Sequence, residues 1–238
     1  MELQFTIEDI TYKVPSHISL ECFAKAIVWN LDDLNNLKPF VATIMECPLS
    51  TINKLDEEVL AFITGVCLQR FQLNNQPVNS SVLDHTLIDF EEITFAQYID
   101  LDTFISGGVG NNVIDIASVL YNCNREEIKS VPIETVWGAV VEYTKWREGT
   151  YKEYDEFFEL EGQKEGPQPE MDGEEANIQL MWWEAIMALA NEDFLKIHQV
   201  VERPWREALN YLTWKKAQVQ KQKLQQLKAK NDLQRRTK

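Results

Sequence analysis

At 238 residues the chain is long enough for one large domain or two small ones. An apolar share of 45% excludes global disorder, and only nine glycines and eight prolines argue against an all-β chain of tight turns. A formal charge of −15 opposes contact of the general surface with nucleic acid or anionic lipid.

Leu3, Phe5 and Ile7 alternate with polar residues, as do Ile10, Tyr12 and Val14, with Glu8-Asp9 between them. This period of two predicts a β-hairpin whose apolar face must rest on helices. After Pro15, Ser19 is placed to cap a helix through Phe23, Ala26, Ile27 and Asn30. A second helix carries Leu34, Leu37, Val41, Ile44 and Met45 and breaks at Pro48. Asp56 opens a third, with Glu57 and Glu58 at its positive end and Val59, Leu60, Ile63, Val66, Cys67 and Phe71 as its buried stripe.

Leu73 to Ser81 reads as a loop, and Leu87-Ile88-Asp89-Phe90 as a strand. Thr94 caps a helix with Phe95, Tyr98, Ile99 and Leu101, and a glycine loop at 107–112 leads to an apolar helix over Val113 to Tyr121. Pro132 opens a long helix with Val136, Trp137, Val140, Val141 and Thr144 on its apolar side, continuing through Phe157 and Phe158. Gly162 to Gly173, rich in glycine, proline and charge, is the best domain boundary. Beyond it lie a helix with Ile178, Met181, Trp182, Ala185 and Leu189, a short helix started by Asn191 or Asp193, and a last helix opened by Pro204 with Trp205, Leu209 and Leu212 facing inward. The expected fold is mainly α (α+β): helical, with a small N-terminal β-hairpin and a long C-terminal helix. Its parts are an N-terminal domain over 1–162, a linker over 163–173 and a helical C-terminal unit over 174–238. No internal repeat is visible.

The search for chemistry returns bland readings. The glycine loop lacks both the GxxxxGK[ST] pattern and the dinucleotide spacing, so it reads as a connection. His17, His85 and His198 have no metal-ligand spacing, and the four cysteines form no CxxC pair, so no metal or cofactor is expected. The paired acids Glu91-Glu92, Glu126-Glu127 and Glu174-Glu175 read as solvated surface, because acid–base work needs carboxylates in different environments. No nucleophile is marked by its neighbours, and a non-enzyme is expected. Buried thiols in a reducing cytoplasm are expected for the cysteines. There is no run of apolar residues long enough for a membrane helix and no signal-like start at Met1-Glu2-Leu3-Gln4, which predicts a cytoplasmic protein.

The informative feature is charge asymmetry. Lys215 to Lys238 holds nine basic residues against one acid, Asp232, so the tail carries +8 and residues 1–214 carry −15 − 8 = −23. The tail reads in three ways: a solvated helix, a helix that docks on an acidic surface, its own or that of another subunit (which would make a homo-oligomer), or a nucleic-acid contact. Trp182 and Trp183 are adjacent, hence about 100° apart on a helix. Either both pack in cores, or one is buried and the other anchors a contact. The candidate partner-binding residues are therefore Trp182, Trp183, Trp214, Lys215, Lys216, Lys221, Lys223, Lys228, Lys230, Arg235 and Arg236.

Three stretches carry a family resemblance. They are Met45-Glu46-Cys47-Pro48-Leu49-Ser50 after the N-terminal hairpin, the run Glu91 to Leu101, of the form E-x-x-T-x-x-Q-Y-x-D, and Ala188 to Asp193 with Pro204 to Leu212 running into a Lys/Gln-rich helix. In these the chain resembles the tail assembly chaperones of tailed bacteriophages. The resemblance implies a non-enzymatic helper that keeps the tape-measure protein soluble and recruits tail-tube subunits, with acidic body and basic helix as contact surfaces. It implies no catalytic residues. A structural virion subunit, such as a connector or baseplate part, is the alternative expectation.

Overall fold

Two antiparallel strands, β1 (Gln4–Ile7) and β2 (Ile10–Lys13), open the fold as the period of two predicts. The structure is a computed structural model describing residues 4–7, 10–158 and 174–236, the side chains of Ile7, 174–177 and 230–236 excepted. Phe5 stacks on Tyr12 across the ladder at 5.5 Å, and the Tyr12 hydroxyl lies 3.4 Å from Thr51 Oγ1, which ties the ribbon to the helices.

The rest is mainly helical. Ser19 caps α1 (Leu20–Ala26), its hydroxyl accepting the Cys22 N–H at 3.1 Å. This helix stops at Ala26, four residues short of the predicted Asn30. A 3₁₀ turn at Leu34–Asn36 leads into α2 (Leu37–Ile44), α3 (Leu49–Ile52) and α4 (Glu57–Phe71). The α4 stripe is narrower than expected: Ile63, Thr64 and Cys67 are buried, while Val59 is exposed.

The strand predicted over 87–90 does not form. Instead β3 (Ser81–Val82) and β4 (His85–Thr86) make a two-residue ladder, and the Leu87 and Ile88 N–H groups donate to the Ser80 and Leu120 carbonyls. Asp89 then accepts the Glu91 N–H, turning the chain into α5 (Phe95–Ser106). There Thr94 and Gln97 bond reciprocally, each side chain accepting the other's backbone N–H at 3.2 and 3.0 Å, a capping box. α6 (Val113–Leu120), α7 (Arg125–Ile128) and α8 (Ile133–Glu153) follow. The long helix ends at Glu153 rather than running on; Tyr154 interrupts it and α9 (Asp155–Phe158) restarts. The predicted linker 163–173 lies outside the described residues. α10 (Glu174–Leu189), a 3₁₀ turn at Phe194–Lys196, α11 (Ile197–Val201) and α12 (Trp205–Arg236) complete the chain.

An internal repeat, unseen in the sequence, organises these helices. In α2–α3–α4 a helix ends, a residue at positive φ (Glu46, +50°) reverses the chain, a short helix follows and a longer one begins. In α6–α7–α8 every boundary up to the start of the last helix recurs 76 residues later: Leu37 to Val113, Glu46 to Asn122 (φ +45°), Pro48 to Asn124, Glu57 to Ile133. The turns match bond for bond. Cys47 and Cys123 donate to Ala42 and Ser118, while Glu46 and Asn122 donate to Thr43 and Val119, the paired hydrogen bonds of a Schellman cap. α10–α11–α12 gives a third copy, with Asn191 (φ +58°) at the turn, Glu192 donating to Met187, and Pro204 before the last helix.

The capped helices α1 and α5 recur too. Ser19 forms an isolated antiparallel bridge with Pro132, and Thr94 forms one with Pro204. Ile133 and Trp205, the residues after each proline, are fully buried. Their counterpart in the first copy, Glu57, is exposed, the polar outer face expected where a repeat series ends.

Contacts divide the chain into two compact units, Met1–Ile88 with Phe104–Lys145, and Asp89–Thr103 with Trp146–Lys238. In the first, α1 packs on α2 and α6. Phe23 of α1 stacks on Phe71 at 4.7 Å, and Phe40 meets Phe71 edge-on at 5.3 Å. Gly138, inside α8, permits the Gln76-Pro77 backbone to lie where a Cβ would stand. In the second unit Tyr98 stacks on Trp205 at 5.4 Å, and Trp146 meets Trp205 edge-on at 4.9 Å.

Candidate protein-binding surface

All the sequence-predicted site residues lie in the second unit, on α10 and α12. The centre of that unit separates the two adjacent tryptophans. Trp182 is 1% exposed and packs edge-on against Phe95 and Tyr98. Its indole N–H donates to Asp102 Oδ2 at 2.8 Å. Trp182 is thus a core residue and not a contact residue. Trp183, one position on, is 48% exposed. The 100° step between neighbours places one indole inside and the other at the surface.

Asp102 is the residue that sequence reasoning missed. It is fully buried and accepts from Arg147 Nε at 2.5 Å and the Tyr151 hydroxyl at 2.9 Å, besides Trp182. Arg147 also lies over the Tyr151 ring at 4.5 Å. Burial works against the guanidinium charge, but Asp102 beside it reverses the effect and Arg147 holds its proton more tightly than usual. Burial, and then Asp102, push the Tyr151 phenol up. Both Asp102 oxygens accept from donors of α8 and α10, so this constellation ties helices together.

A second junction joins two of the stretches that carry the family resemblance. Glu91 Oε2 accepts from Arg206 Nε at 2.8 Å, and Glu91 Oε1 accepts the Trp146 indole N–H at 3.0 Å. The Trp146 bond, and next Arg206, hold the Glu91 carboxyl below the ordinary carboxylate range. The Phe95 N–H donates to Arg203 O and the Trp205 N–H to Ile93 O. In the E-x-x-T-x-x-Q-Y-x-D run, therefore, Glu91 pairs with α12, Thr94 and Gln97 cap α5, and Tyr98 sits in the core.

The cationic residues divide by depth. Lys215 donates to Ala188 O at 2.9 Å and Lys216 to Phe157 O at 3.2 Å, both near helix C-terminal ends, where ammonium groups are favoured. Both are half-buried. From residue 217 to 229 every side chain of α12 is exposed, including Lys221, Lys223 and Lys228. Trp214 is 56% exposed, with Tyr211 beside it at 5.5 Å between ring centroids. The side chains of Lys230, Arg235 and Arg236 lie outside the described residues; their backbone continues α12.

Between α10 and α12 runs a groove of about 450 Å³ lined by Met181, Ala185, Ala188, Lys216, Val219 and Lys223 among others, with Phe157 of α9 also in its lining. A smaller one of about 350 Å³ lies at α11 and α12, lined by Val200, Arg203, Ala208 and Tyr211. The histidines stay apart: His17 faces Glu134, His85 lies 3.7 Å from Glu127 and His198 3.3 Å from Glu202. Among the described residues no helix is long and apolar enough to cross a membrane. Compared with known proteins, the chain matches no family model, no curated protein and no solved structure.

Proposed function

We propose that this chain is a non-enzymatic protein-binding factor of tailed-phage tail assembly, a chaperone for tape-measure and tail-tube proteins. One observation carries the protein-binding part: α12 leaves its buried anchor at Trp205–Leu212, carries exposed Trp214 and continues as an exposed cationic helix from residue 217 to 229. No acid occurs between Glu207 and Asp232, so the stretch is uniformly basic in sequence. A cationic helix with aromatic neighbours suits an acidic polypeptide, and the −23 charge of the remainder opposes nucleic acid. The phage assignment rests on the resemblance in the three quoted stretches.

The test is co-expression with the tape-measure and tail-tube proteins of the same genome. Soluble, co-purifying tape-measure protein is expected, with loss of co-purification on Lys221→Glu plus Lys228→Glu. Retention of the chain in finished virions at stoichiometric copy number, read by mass spectrometry, would replace the chaperone reading with that of a structural subunit. Salt-sensitive binding to DNA lost in the same variant would replace both.

A further inference from the structure

The repeat shows how the chain covers one face of its long helices. Phe62 of α4, Gly138 of α8 and Asn210 of α12 stand five residues after Glu57, Ile133 and Trp205. At Gly138 the Gln76 and Pro77 carbonyls lie where a Cβ would stand, and Asn79 donates to the Thr135 carbonyl, three residues earlier, at 2.6 Å. At Asn210 the side-chain oxygen accepts the Tyr154 hydroxyl at 3.0 Å. In both copies the cover is the stretch of chain that has just left the preceding long helix, α4 or α8. α4 is the first long helix of the series, and the same face of it is bare. Phe62 is 60% exposed and Val59 38%, with Ala61 and Gly65 exposed beside them. Among the described residues nothing lies within 4 Å of a Cβ added at Gly65.

This face is its own complement. At 100° per residue Glu58, Phe62, Gly65 and Gln69 fall within about 60° of one another, a narrow seam of the kind along which two helices pack. Phe62 is a knob on that seam and Gly65, three residues on, a notch. Reversing the seam sets position 62 against 65 and position 58 against 69. Two antiparallel copies therefore place each Phe62 ring over the other's Gly65, Val59 against Val66, and the Glu58 carboxylate against the Gln69 amide. Parallel copies would instead set Phe62 on Phe62 and bring the two Asp56-Glu57-Glu58 trios together, like charge on like charge. We propose that α4 is the twofold contact of a homodimer, two α4 helices packed antiparallel through Phe62 and Gly65. The contact is isologous, the commonest way for a chain to pair with itself. α12 takes no part in it.

Sedimentation equilibrium of the full chain is expected to show a monomer–dimer equilibrium. Phe62→Lys and Gly65→Gln are each expected to raise its Kd by about tenfold or more, as loss of an interface anchor does. Gly65→Gln separates the notch from folding. Glycine is the poorer helix former, so at a concentration where both proteins are monomeric this variant melts higher than wild type while dimerising worse. Gln69→Lys sets a cation opposite Glu58 of the second copy. It is expected to tighten the dimer by about twofold to tenfold, a gain that added salt removes. A chain that stays monomeric at its highest soluble concentration overturns the proposal, as does a dimer indifferent to Phe62→Lys or to Gly65→Gln. Weakening by Gln69→Lys overturns it too, because parallel helices set that residue against itself. Association kept in Phe62→Lys but lost in Lys221→Glu plus Lys228→Glu overturns it by assigning the contact to α12. A monomeric chain that still co-purifies with the tape-measure protein refutes the dimer alone and leaves the protein-binding reading in place.

Discussion

The buried carboxylate of Asp102 accepts the indole N–H of Trp182 at 2.8 Å, across eighty residues of sequence. The same carboxylate accepts Arg147 at 2.5 Å, so one side chain of α5 ties α8 and α10. Asp102→Ala removes the anion and leaves Arg147, itself only 16% exposed, without its charge partner. Breaking such a pair by truncating one member costs about 3–5 kcal/mol. Trp182→Phe keeps the pair and most of the packing and deletes one charge-assisted bond, expected to cost about 1.5–3 kcal/mol. Urea denaturation should order the variants wild type, Trp182→Phe, Asp102→Ala. Equal midpoints for all three would refute the keystone role.

Two glycines of α8 make a matched pair with opposite expected signs. Gly149 has nothing within 4 Å of an added Cβ, so Gly149→Ala is expected to stabilise by about 0.5–1 kcal/mol through helix propensity alone. An added Cβ at Gly138 meets the Pro77 carbonyl, which is backbone and cannot rotate away. Gly138→Ala is therefore expected to destabilise by about 1–3 kcal/mol, overpacking outweighing propensity. Thermal melts of the two single variants decide the matter; a raised Tm for Gly138→Ala contradicts the close approach.

Much of the fold was readable from local rules. The alternation at 3–14, Ser19, Thr94, Pro132 and Pro204 each marked an element that forms there. The repeat was not readable, because it is written in burial and not in identity. Between 37–57 and 113–133 the only identical pairs are Cys47/Cys123 and Ile52/Ile128. Yet Phe40, Val41, Ile44, Met45 and Ile52 are buried, and so are Ile116, Ala117, Leu120, Tyr121 and Ile128 at the matching places. Exchange among apolar side chains preserves such a core while erasing sequence similarity. Asp102 was invisible for another reason. Asp100 and Asp102 share one helix and one residue type, and only the direction of the side chain puts the first at the surface and the second in the core. For the adjacent tryptophans, sequence left open whether both pack in cores or only one does; packing against Phe95 and Tyr98 buries Trp182, and Trp183 stays half exposed.

The repeat makes its own prediction at the reversing residue. Glu46 adopts φ +50° after α2, a conformation that disfavours side chains with a Cβ by about 1–2 kcal/mol. Glycine is free of that penalty but has a more mobile unfolded chain. Glu46→Gly is thus expected to stabilise by up to about 1 kcal/mol, seen as a higher denaturant midpoint at unchanged slope. Glu46→Val should move the midpoint the other way, since branching at Cβ makes positive φ costlier. The same pair of substitutions at Asn122 should show a smaller gain for glycine, as asparagine tolerates this region better.

Stability should also fall in alkali, and the buried thiols give the sign. Burial pushes Cys67 up to about 12, and burial followed by the charge of Glu46 pushes Cys22 up to about 11, from an ordinary value near 9. Between pH 9 and 11 the unfolded chain releases both thiol protons while the folded chain keeps them, so the folded state binds more protons and stability declines as pH rises. Below pH 9 both states hold these protons and the contribution is complete. The slope is on the order of 1 kcal/mol per pH unit for each thiol once the unfolded one has ionised. In Cys22→Ala plus Cys67→Ala the starting stability is lower because two buried sites lose volume, but the fall between pH 9 and 11 is shallower. Urea midpoints at pH 7, 9, 10 and 11 separate the two effects, since the cavity penalty is constant with pH and the thiol contribution is not. A variant whose curve runs parallel to wild type across that range would assign the alkaline loss to other groups, of which Tyr121, raised by burial to about 12, is the first to examine by Tyr121→Phe.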